Sequence, residues 1–214
     1  DSLARAGVRF TQAYAHAVCC PARAALLTGR HPQRGRVNSW MQSDMHADSG
    51  LNMKVSEVTL AEVLKSAGYS TALFGKWHLG QEERHQPWNQ GFETVNVYRG
   101  GGFFDYADKM SSPLEPVPGK VLSEALTDLS LEFIESNKEK PFFLYLSFQA
   151  PHNPLQAPAA GESSPLFSPI VRSFLVPVPP LPSCPLILVG IAPRSMPIAQ
   201  CLCPSTRRLA LPPC

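Results

Sequence analysis

One segment limits the fold of this chain more than any other. After Pro141, residues 142–148 form an almost wholly apolar run, Phe-Phe-Leu-Tyr-Leu-Ser-Phe. A strand with one solvent-facing side alternates apolar and polar residues, whereas a strand of a parallel sheet is covered on both faces and reads as a continuous apolar run. The segment therefore predicts a strand buried on both faces within a largely parallel sheet.

The order helix, glycine, strand occurs upstream as well. Thr59 and Glu62 have the spacing of a capping box, an apolar stripe follows at helical spacing, and Gly68 precedes a predicted strand over 69–74. A further stripe with steps of four, three and four predicts an amphipathic helix over 122–133. The repeated pattern predicts an α/β fold, with a mostly parallel sheet sandwiched by helices and incomplete within this chain.

Residues 8–14 alternate apolar and polar side chains and predict one more strand.

Charge and hydrophobicity argue against nucleic-acid binding and against a membrane span. The formal net charge is only +2, which gives no case for nucleic-acid binding. No run of eighteen apolar residues occurs, so we predict no transmembrane helix.

Proline divides the chain into two parts. Residues 1–158 contain ten prolines and residues 159–214 contain twelve, together with four of the six cysteines. We predict a domain over 1–158 and an irregular, Pro-rich tail over 159–214, either disordered or derived from read-through or frame-shifted sequence. The alternative for the tail is a polyproline-type interaction segment. Its Cys201-Leu202-Cys203 pair has no accompanying histidine, so zinc binding there is not expected.

The segment from Val18 to Arg30 combines a cysteine with a predicted helix start. Pro21 fits the first helical position, which places Cys19 just before the helix N-terminus, where unpaired N–H groups attract anions. Arg23 lies one turn into the helix and can reach the same place. The pattern predicts an anion site beside a reactive sulfur, and the alternative is a buried cysteine pair before an ordinary helix.

Two more segments follow directly on predicted strands, where α/β sheets bind their ligands. Lys76-Trp77-His78 comes after the strand over 69–74. In an extended chain Lys76 and His78 point the same way, while Trp77 points into the interior. His152 follows the strand over 142–148 and is flanked by prolines. We expect all three segments to meet at one edge of the sheet.

These segments resemble the active-site blocks of a known family. Residues 19–23, Cys-Cys-Pro-Ala-Arg, match the Cys-x-Pro-x-Arg signature of the type I sulfatases, and residues 24–30 continue it as arylsulfatases do. Residues 75–80 and 150–152 resemble the next two blocks, in the same order. The resemblance covers roughly 1–158. It implies the alkaline phosphatase-like fold, of which we expect this chain to be a partial N-terminal domain, and hydrolysis of sulfuric esters.

The resemblance also implies a chemical role for each block. A dedicated formylglycine-generating enzyme would oxidise Cys19 to Cα-formylglycine, whose hydrate attacks the sulfur of a sulfate ester. By resemblance, Arg23 would orient and neutralise that hydrate, and His78 would hydrogen-bond it. Lys76 would bind a sulfate oxygen, and His152 would contact the sulfate and assist the leaving oxygen.

Members of this family bind one divalent cation, usually calcium. Of that metal site, the resemblance assigns only Cys19, in its formylglycine form, to this chain. We therefore expect the chain alone to be inactive. The implied substrate is a sulfated small molecule or glycan, and the implied parent protein is exported, whether secreted, lysosomal or periplasmic.

Two other functions stay open at this stage. One is hydrolysis of phosphate or phosphonate esters, because sulfate and phosphate groups are both tetrahedral anions that this basic cluster could hold. The other is a non-catalytic protein that binds a sulfated glycan. Four histidines match none of the blocks and are expected to be surface or core residues: His16, His31, His46 and His85.

Overall fold

The computed structural model describes residues 11–39, 52–114, 119–150 and the single positions 5, 7, 9, 117, 152 and 156, together with the backbone of 186–190. Helices and strands with described bounds are, in chain order, α1 (Cys19–Thr28), α2 (Leu60–Ser66), β1 (Ser70–Gly75), β2 (Thr94–Val97), α3 (Leu122–Asn137), β3 (Phe142–Ser147) and β4 (Leu186–Gly190). Short 3₁₀ turns occupy Glu83–His85, Pro87–Asn89 and Ala107–Lys109.

The strands form one sheet with the order β2-β1-β3-β4, and every described pair is parallel. At the carboxyl end of β1, Gly75 is in register with Ser147 of β3 and with Val97 of β2. Because these three strands end together, the loops that follow them leave from the same edge. The prediction of a largely parallel α/β sheet is confirmed.

Side chains that alternate along β1 and β3 supply two hydrophobic cores, one on each face of the sheet. The α1 and α2 face contains Ala24, Leu27, Ala61, Leu73, Phe143 and Tyr145. The α3 face contains Ala72, Phe74, Leu126, Phe133, Phe142 and Leu144. All six residues of β3 are buried, which explains why its sequence is apolar on both sides. Full burial of one such side chain contributes about 1.5–3 kcal/mol.

The predicted helix signals around β1 are also confirmed. Thr59 Oγ1 accepts a hydrogen bond from the Glu62 N–H at 3.1 Å, and Glu62 Oε2 accepts one from the Thr59 N–H at 2.7 Å. Gly68 follows α2 with a positive φ of 85°, and β1 begins two residues later. The amphipathic helix predicted over 122–133 is α3. Among the described residues, no helix combines the length and the apolar character that crossing a membrane requires.

The strand predicted over 8–14 is wrong for the residues that the structure describes there, since position 9 and residues 11–14 carry no strand. Alternation produces a strand only where a neighbour pairs with its N–H and C=O groups. Here residues 11–15 are exposed, and Tyr14 retains 89% of its accessible surface.

The start of α1 also differs from the prediction. The helix begins at Cys19 with Val18 as its N-cap, so Pro21 is the third helical residue instead of the first. The first intrahelical bond runs from the Ala22 N–H to the Val18 oxygen at 3.1 Å. Because the N–H groups before Ala22 have no partner within the helix, a proline at the third position removes no bond.

Within the tail predicted to be irregular, residues 186–190 form β4, which pairs with β3 from Phe143–Leu186 to Ser147–Gly190. The irregular prediction is wrong for these five residues. Their apolar, partly β-branched sequence suits a strand, and the second edge of β3 offers unpaired backbone groups. Residues 159–185 and 191–214 lie outside the described part, as do the tail cysteines Cys184, Cys201, Cys203 and Cys214, and the boundary near 158 stays a prediction.

Candidate active site

The first two predicted blocks meet at the start of α1. Cys19 is the first residue of that helix, and its Sγ lies 3.2 Å from Nδ1 of His78, in the loop after β1. The Sγ of the neighbouring Cys20 lies 3.3 Å from the same nitrogen. His78 therefore contacts two sulfurs that are 59 and 58 residues away in sequence.

His152 follows the adjacent strand at the same edge. It lies in a turn after β3, half-buried, and its N–H donates to the oxygen of Gln149 at 2.9 Å. The structure thus brings all three segments to the edge that the sequence predicted, while the role of the His152 ring in the site stays a prediction.

Arg23 is a buried anchor between the first two blocks. It is 6% exposed, and its Nη1 donates to the backbone oxygen of Lys76 at 2.7 Å, to the Tyr145 hydroxyl at 3.1 Å and to the Ser147 hydroxyl. These bonds fix the backbone of the Lys76 loop against the end of β3. Sequence reasoning missed Tyr145 and Ser147, although they are the polar side chains within the otherwise apolar run of 142–148.

The site is strongly basic. Lys76 is 8% exposed and its pKa is lowered, first by burial and then by the charge of Arg23. Neither side chain takes part in any of the salt bridges found among the described residues. Burying a charge without an opposite charge is costly, so two neighbouring buried cations favour the binding of an anion beside them.

Cys19 supplies one such anion in the unmodified chain. The pKa of its thiol falls from 9.0 to about 3. A hydrogen bond from Cys20 is the largest cause, with smaller contributions from the hydrogen bond with His78 and the charges of Lys76 and His78, while burial acts in the opposite direction. Because the thiolate is the reactive form of cysteine, Cys19 is already in its reactive form at neutral pH.

The backbone around Lys76 and His78 is tightly constrained. Gly75 has a φ of 106°, and a Cβ at this position would lie 2.1 Å from the Ser147 oxygen. His78 has a φ of 62°, so the extended geometry predicted for residues 76–78 is wrong at that residue. Left-handed backbone is uncommon outside glycine, although histidine adopts it more readily than most residues.

Trp77 points into the interior as predicted, and it is 2% exposed. Its Nε1–H donates to the oxygen of His85 at 2.8 Å, and Nδ1 of His85 lies 2.9 Å from the oxygen of Met53. His85 is therefore a core residue that holds the Trp77 loop.

Of the other histidines outside the blocks, His16 and His31 pack edge to face, with their ring centroids 4.8 Å apart. His46 lies outside the described residues.

The donor atoms around Cys19 do not fit the calcium ion that the resemblance implies. Calcium takes six to eight oxygen ligands. Within the described part of the chain, the group able to offer three metal ligands comprises Cys19, Cys20 and His78, with all ligand atoms within 4.8 Å of one another. Two sulfurs and an imidazole beside two cations make a poor calcium site.

Comparison with known proteins identifies the family of the chain. The sequence model of the family described as Sulfatase matches residues 1–168. An arylsulfatase of Hemicentrotus pulcherrimus is 35% identical over 181 residues, which cover 72% of this chain and 32% of that protein. The matches to this arylsulfatase, to an arylsulfatase of Klebsiella aerogenes and to a sulfatase of Escherichia coli each span about a third of the relative's length.

Solved structures resemble the fold as well. The crystal structure of Ps i-CgsB in complex with k-i-k-neocarrahexaose aligns with a TM-score of 0.60 at 28% identity, over 73% of this chain and 40% of that one. The structure of BT4656 in complex with D-glucosamine-2-N,6-O-disulfate aligns with a TM-score of 0.56 at 28% identity, over 71% and 29%. Because the family match extends over most of the sequence and includes every segment of the basic cluster, the chain belongs to the sulfatase family.

Proposed function

We propose that this chain contributes the nucleophile and part of the anion-binding site for hydrolysis of sulfuric esters, in the manner of an arylsulfatase. The observation that carries the proposal is the pair of buried cations, Arg23 and Lys76, beside Cys19 at the first position of α1. Once residue 19 is converted and no longer a thiolate, a sulfate monoester brings the negative charge that this pair lacks. The α1 N-terminus adds unpaired N–H groups that favour the same charge.

The nucleophile in this proposal is a modified residue 19. When formed there, formylglycine hydrate supplies one hydroxyl to attack the sulfur and a second hydroxyl whose deprotonation expels sulfate. The surroundings of Cys19 suit such a hydrate. The residue is half-buried, and Nδ1 of His78 lies 3.2 Å from the present sulfur, where it can hydrogen-bond a polar atom. A formylglycine-generating enzyme is the partner that this step requires.

The remaining residues act on charge and position. Lys76 attracts a sulfate oxygen, and its lowered pKa makes the ammonium easier to deprotonate than an ordinary lysine. Arg23 adds positive charge and holds the Lys76 backbone through its 2.7 Å hydrogen bond. Fixed cations directed at developing negative charge are usually the largest catalytic contribution. His152 completes the site by assisting the leaving oxygen.

The modification is tested by co-expressing the chain with a formylglycine-generating enzyme. Mass spectrometry of tryptic peptide 10–23 should show loss of sulfur at residue 19 and an aldehyde that reacts with a hydrazide probe. Cys20→Ala should keep the aldehyde, and Cys19→Ala should abolish it. An unaltered thiol at residue 19 in a host that converts a control sulfatase would refute the proposal.

Substrate class is tested on the converted chain by calorimetric titration with paired aryl sulfate and aryl phosphate monoesters. We expect the sulfate ester to bind, with affinity lost in Lys76→Ala and kept in Lys65→Ala, an exposed lysine on α2. The structures of Ps i-CgsB and BT4656 hold k-i-k-neocarrahexaose and D-glucosamine-2-N,6-O-disulfate, which supports a sulfated sugar as the natural substrate. Preference for the phosphate ester would instead support a phosphate or phosphonate hydrolase.

Inactivity of the isolated chain stays a prediction. The converted chain is expected to bind an aryl sulfate without turning it over, since the donors around residue 19 do not form a calcium site. A sulfatase rate that Cys19→Ala abolishes would contradict this prediction, and it would leave the proposed chemistry intact.

A further inference from the structure

Cys20 has no role in the proposed hydrolysis, yet it is placed as closely to His78 as Cys19 is. Its sulfur is buried and lies 3.3 Å from Nδ1 of His78, while the Cys19 sulfur lies 3.2 Å from the same atom. Neither thiol is in a disulfide bond. Two sulfurs and one imidazole nitrogen thus face one another within 4.8 Å.

This donor set selects a soft or borderline metal ion. Zinc binds cysteine sulfur at about 2.3 Å and histidine nitrogen at about 2.0–2.1 Å, which in a tetrahedron puts neighbouring ligand atoms about 3.5–3.8 Å apart. The observed sulfur–nitrogen distances of 3.2 and 3.3 Å need to open by only a few tenths of an ångström. Cys19 and His78 are half-buried, so the group is reachable from solvent.

The two thiolates limit the electrostatic cost of a dication beside two buried cations. A zinc ion with two thiolates is electrically neutral, so binding replaces the negative charge of the Cys19 thiolate with a neutral centre and places no net positive charge beside Lys76 and Arg23. Three protein ligands leave one tetrahedral position open for water or another ligand. Calcium would find no oxygen ligand among these three side chains, so the donor set should favour zinc over calcium.

We infer that the unmodified chain binds one zinc ion through Sγ of Cys19, Sγ of Cys20 and Nδ1 of His78. Each metal–sulfur bond replaces an S–H bond where the thiol was protonated, the proton passes to solvent, and no atom changes oxidation state. Because Cys19 is then a metal ligand, zinc withholds it from oxidation. This last consequence rests on the proposed conversion of Cys19, whereas the metal site itself does not.

The test uses the full 214-residue chain, expressed without the maturation enzyme and reduced. The four tail cysteines, Cys184, Cys201, Cys203 and Cys214, are replaced by serine to remove competing thiols. Cobalt(II) serves as the probe, because thiolate ligation gives a sulfur-to-cobalt absorption band in the near ultraviolet. We expect one equivalent to bind and zinc to displace it.

Variants separate this site from chance binding. Cys20→Ser and His78→Gln should each weaken cobalt binding by about tenfold or more. His31→Ala, an exposed histidine outside the group, should leave binding unchanged. Far-UV circular dichroism establishes that each variant keeps its fold. A missing sulfur band in the folded parent chain would overturn the inference, as would a band unchanged in both folded Cys20→Ser and His78→Gln.

Competition with maturation is measured separately, as the yield of aldehyde in peptide 10–23 with and without added zinc. Zinc should lower the yield in the parent chain and leave it unchanged in Cys20→Ser. Aldehyde formation in a chain that shows no cobalt–thiolate band would refute the metal site and leave the proposed function standing. A cobalt–thiolate band in a chain that never forms the aldehyde would refute the proposed function and leave the metal site standing.

Discussion

Gly75 joins the central sheet to the site, and replacing it with alanine tests the geometry of both. Gly75 ends β1 with a φ of 106°, and a Cβ there would lie 2.1 Å from the Ser147 oxygen and 2.9 Å from its carbonyl carbon. The same oxygen accepts the Lys76 N–H at 2.9 Å. Gly68 provides a matched control, since it precedes β1 with a φ of 85° and has nothing within 4 Å of an added Cβ.

Both substitutions carry the cost of an unfavourable backbone conformation, and Gly75→Ala carries two additional costs. Unfavourable backbone conformation costs about 1–3 kcal/mol at either glycine. At Gly75 the clash is with backbone, which cannot turn away, so overpacking adds about 1–3 kcal/mol. Weakening the Lys76–Ser147 hydrogen bond adds about 0.5–1.5 kcal/mol. We therefore expect Gly75→Ala to destabilise the chain by roughly 2–4 kcal/mol more than Gly68→Ala does.

Urea unfolding followed by far-UV circular dichroism measures this difference. With an m-value of about 2 kcal/mol/M, the midpoint for Gly75→Ala should fall roughly 1–2 M below that for Gly68→Ala. Equal midpoints for the two variants would refute the close approach of β1 and β3 at this register. A lower midpoint for Gly68→Ala would contradict the assignment of the clash to Gly75.

Four further outcomes follow from contacts in the structure. With a pKa of about 3, Cys19 is a thiolate throughout the neutral range, so its alkylation by iodoacetamide should stay nearly constant from pH 8 down to about pH 5 and decline only as the pH approaches 3. Cys20→Ala removes the largest cause of the low pKa, and peptide mapping should then show a rate that falls with pH through a higher value. Tyr145→Phe removes one of the acceptors of buried Arg23 and should cost about 1–2 kcal/mol in urea unfolding. Thr59→Val removes both the cap of α2 and the 2.8 Å hydrogen bond that Thr59 Oγ1 donates to the Gln90 oxygen, and it should cost about 1–3 kcal/mol in the same assay. An unchanged midpoint would show that both contacts are dispensable.

Local chemistry explains which parts of the fold were predictable. The start of α2 depends on Thr59 and Glu62, three residues apart, and both capping bonds form as the spacing predicts. The apolar run of β3 depends on burial of both faces, which a continuous pattern reveals directly. The segment 8–14 carried an equally regular pattern without forming a strand, because alternation alone cannot supply a partner for its backbone.

The site was predictable in its members and not in its contacts. The sequence placed Cys19 and Arg23 in one block and Lys76 and His78 in a second, and the structure brings these four residues near one another. Arg23 is anchored by Tyr145 and Ser147, which lie 122 and 124 positions further along the chain. Both belong to β3, a strand whose neighbours are determined only when the sheet folds. Such pairings are properties of the register between β1 and β3, which no local pattern encodes.

The register also explains how the chain tolerates so much buried positive charge. Arg23 and Lys76 repel each other, and that repulsion contributes to the lowered pKa of Lys76. The polar groups that offset it are the Lys76 oxygen and the hydroxyls of Tyr145 and Ser147, all at or near the carboxyl ends of β1 and β3. These groups stabilise the guanidinium without neutralising it, whereas a carboxylate in their place would cancel the charge that the proposed sulfate ester would meet. Neutral acceptors thus allow a buried arginine to remain available to an anion, which a salt bridge would not.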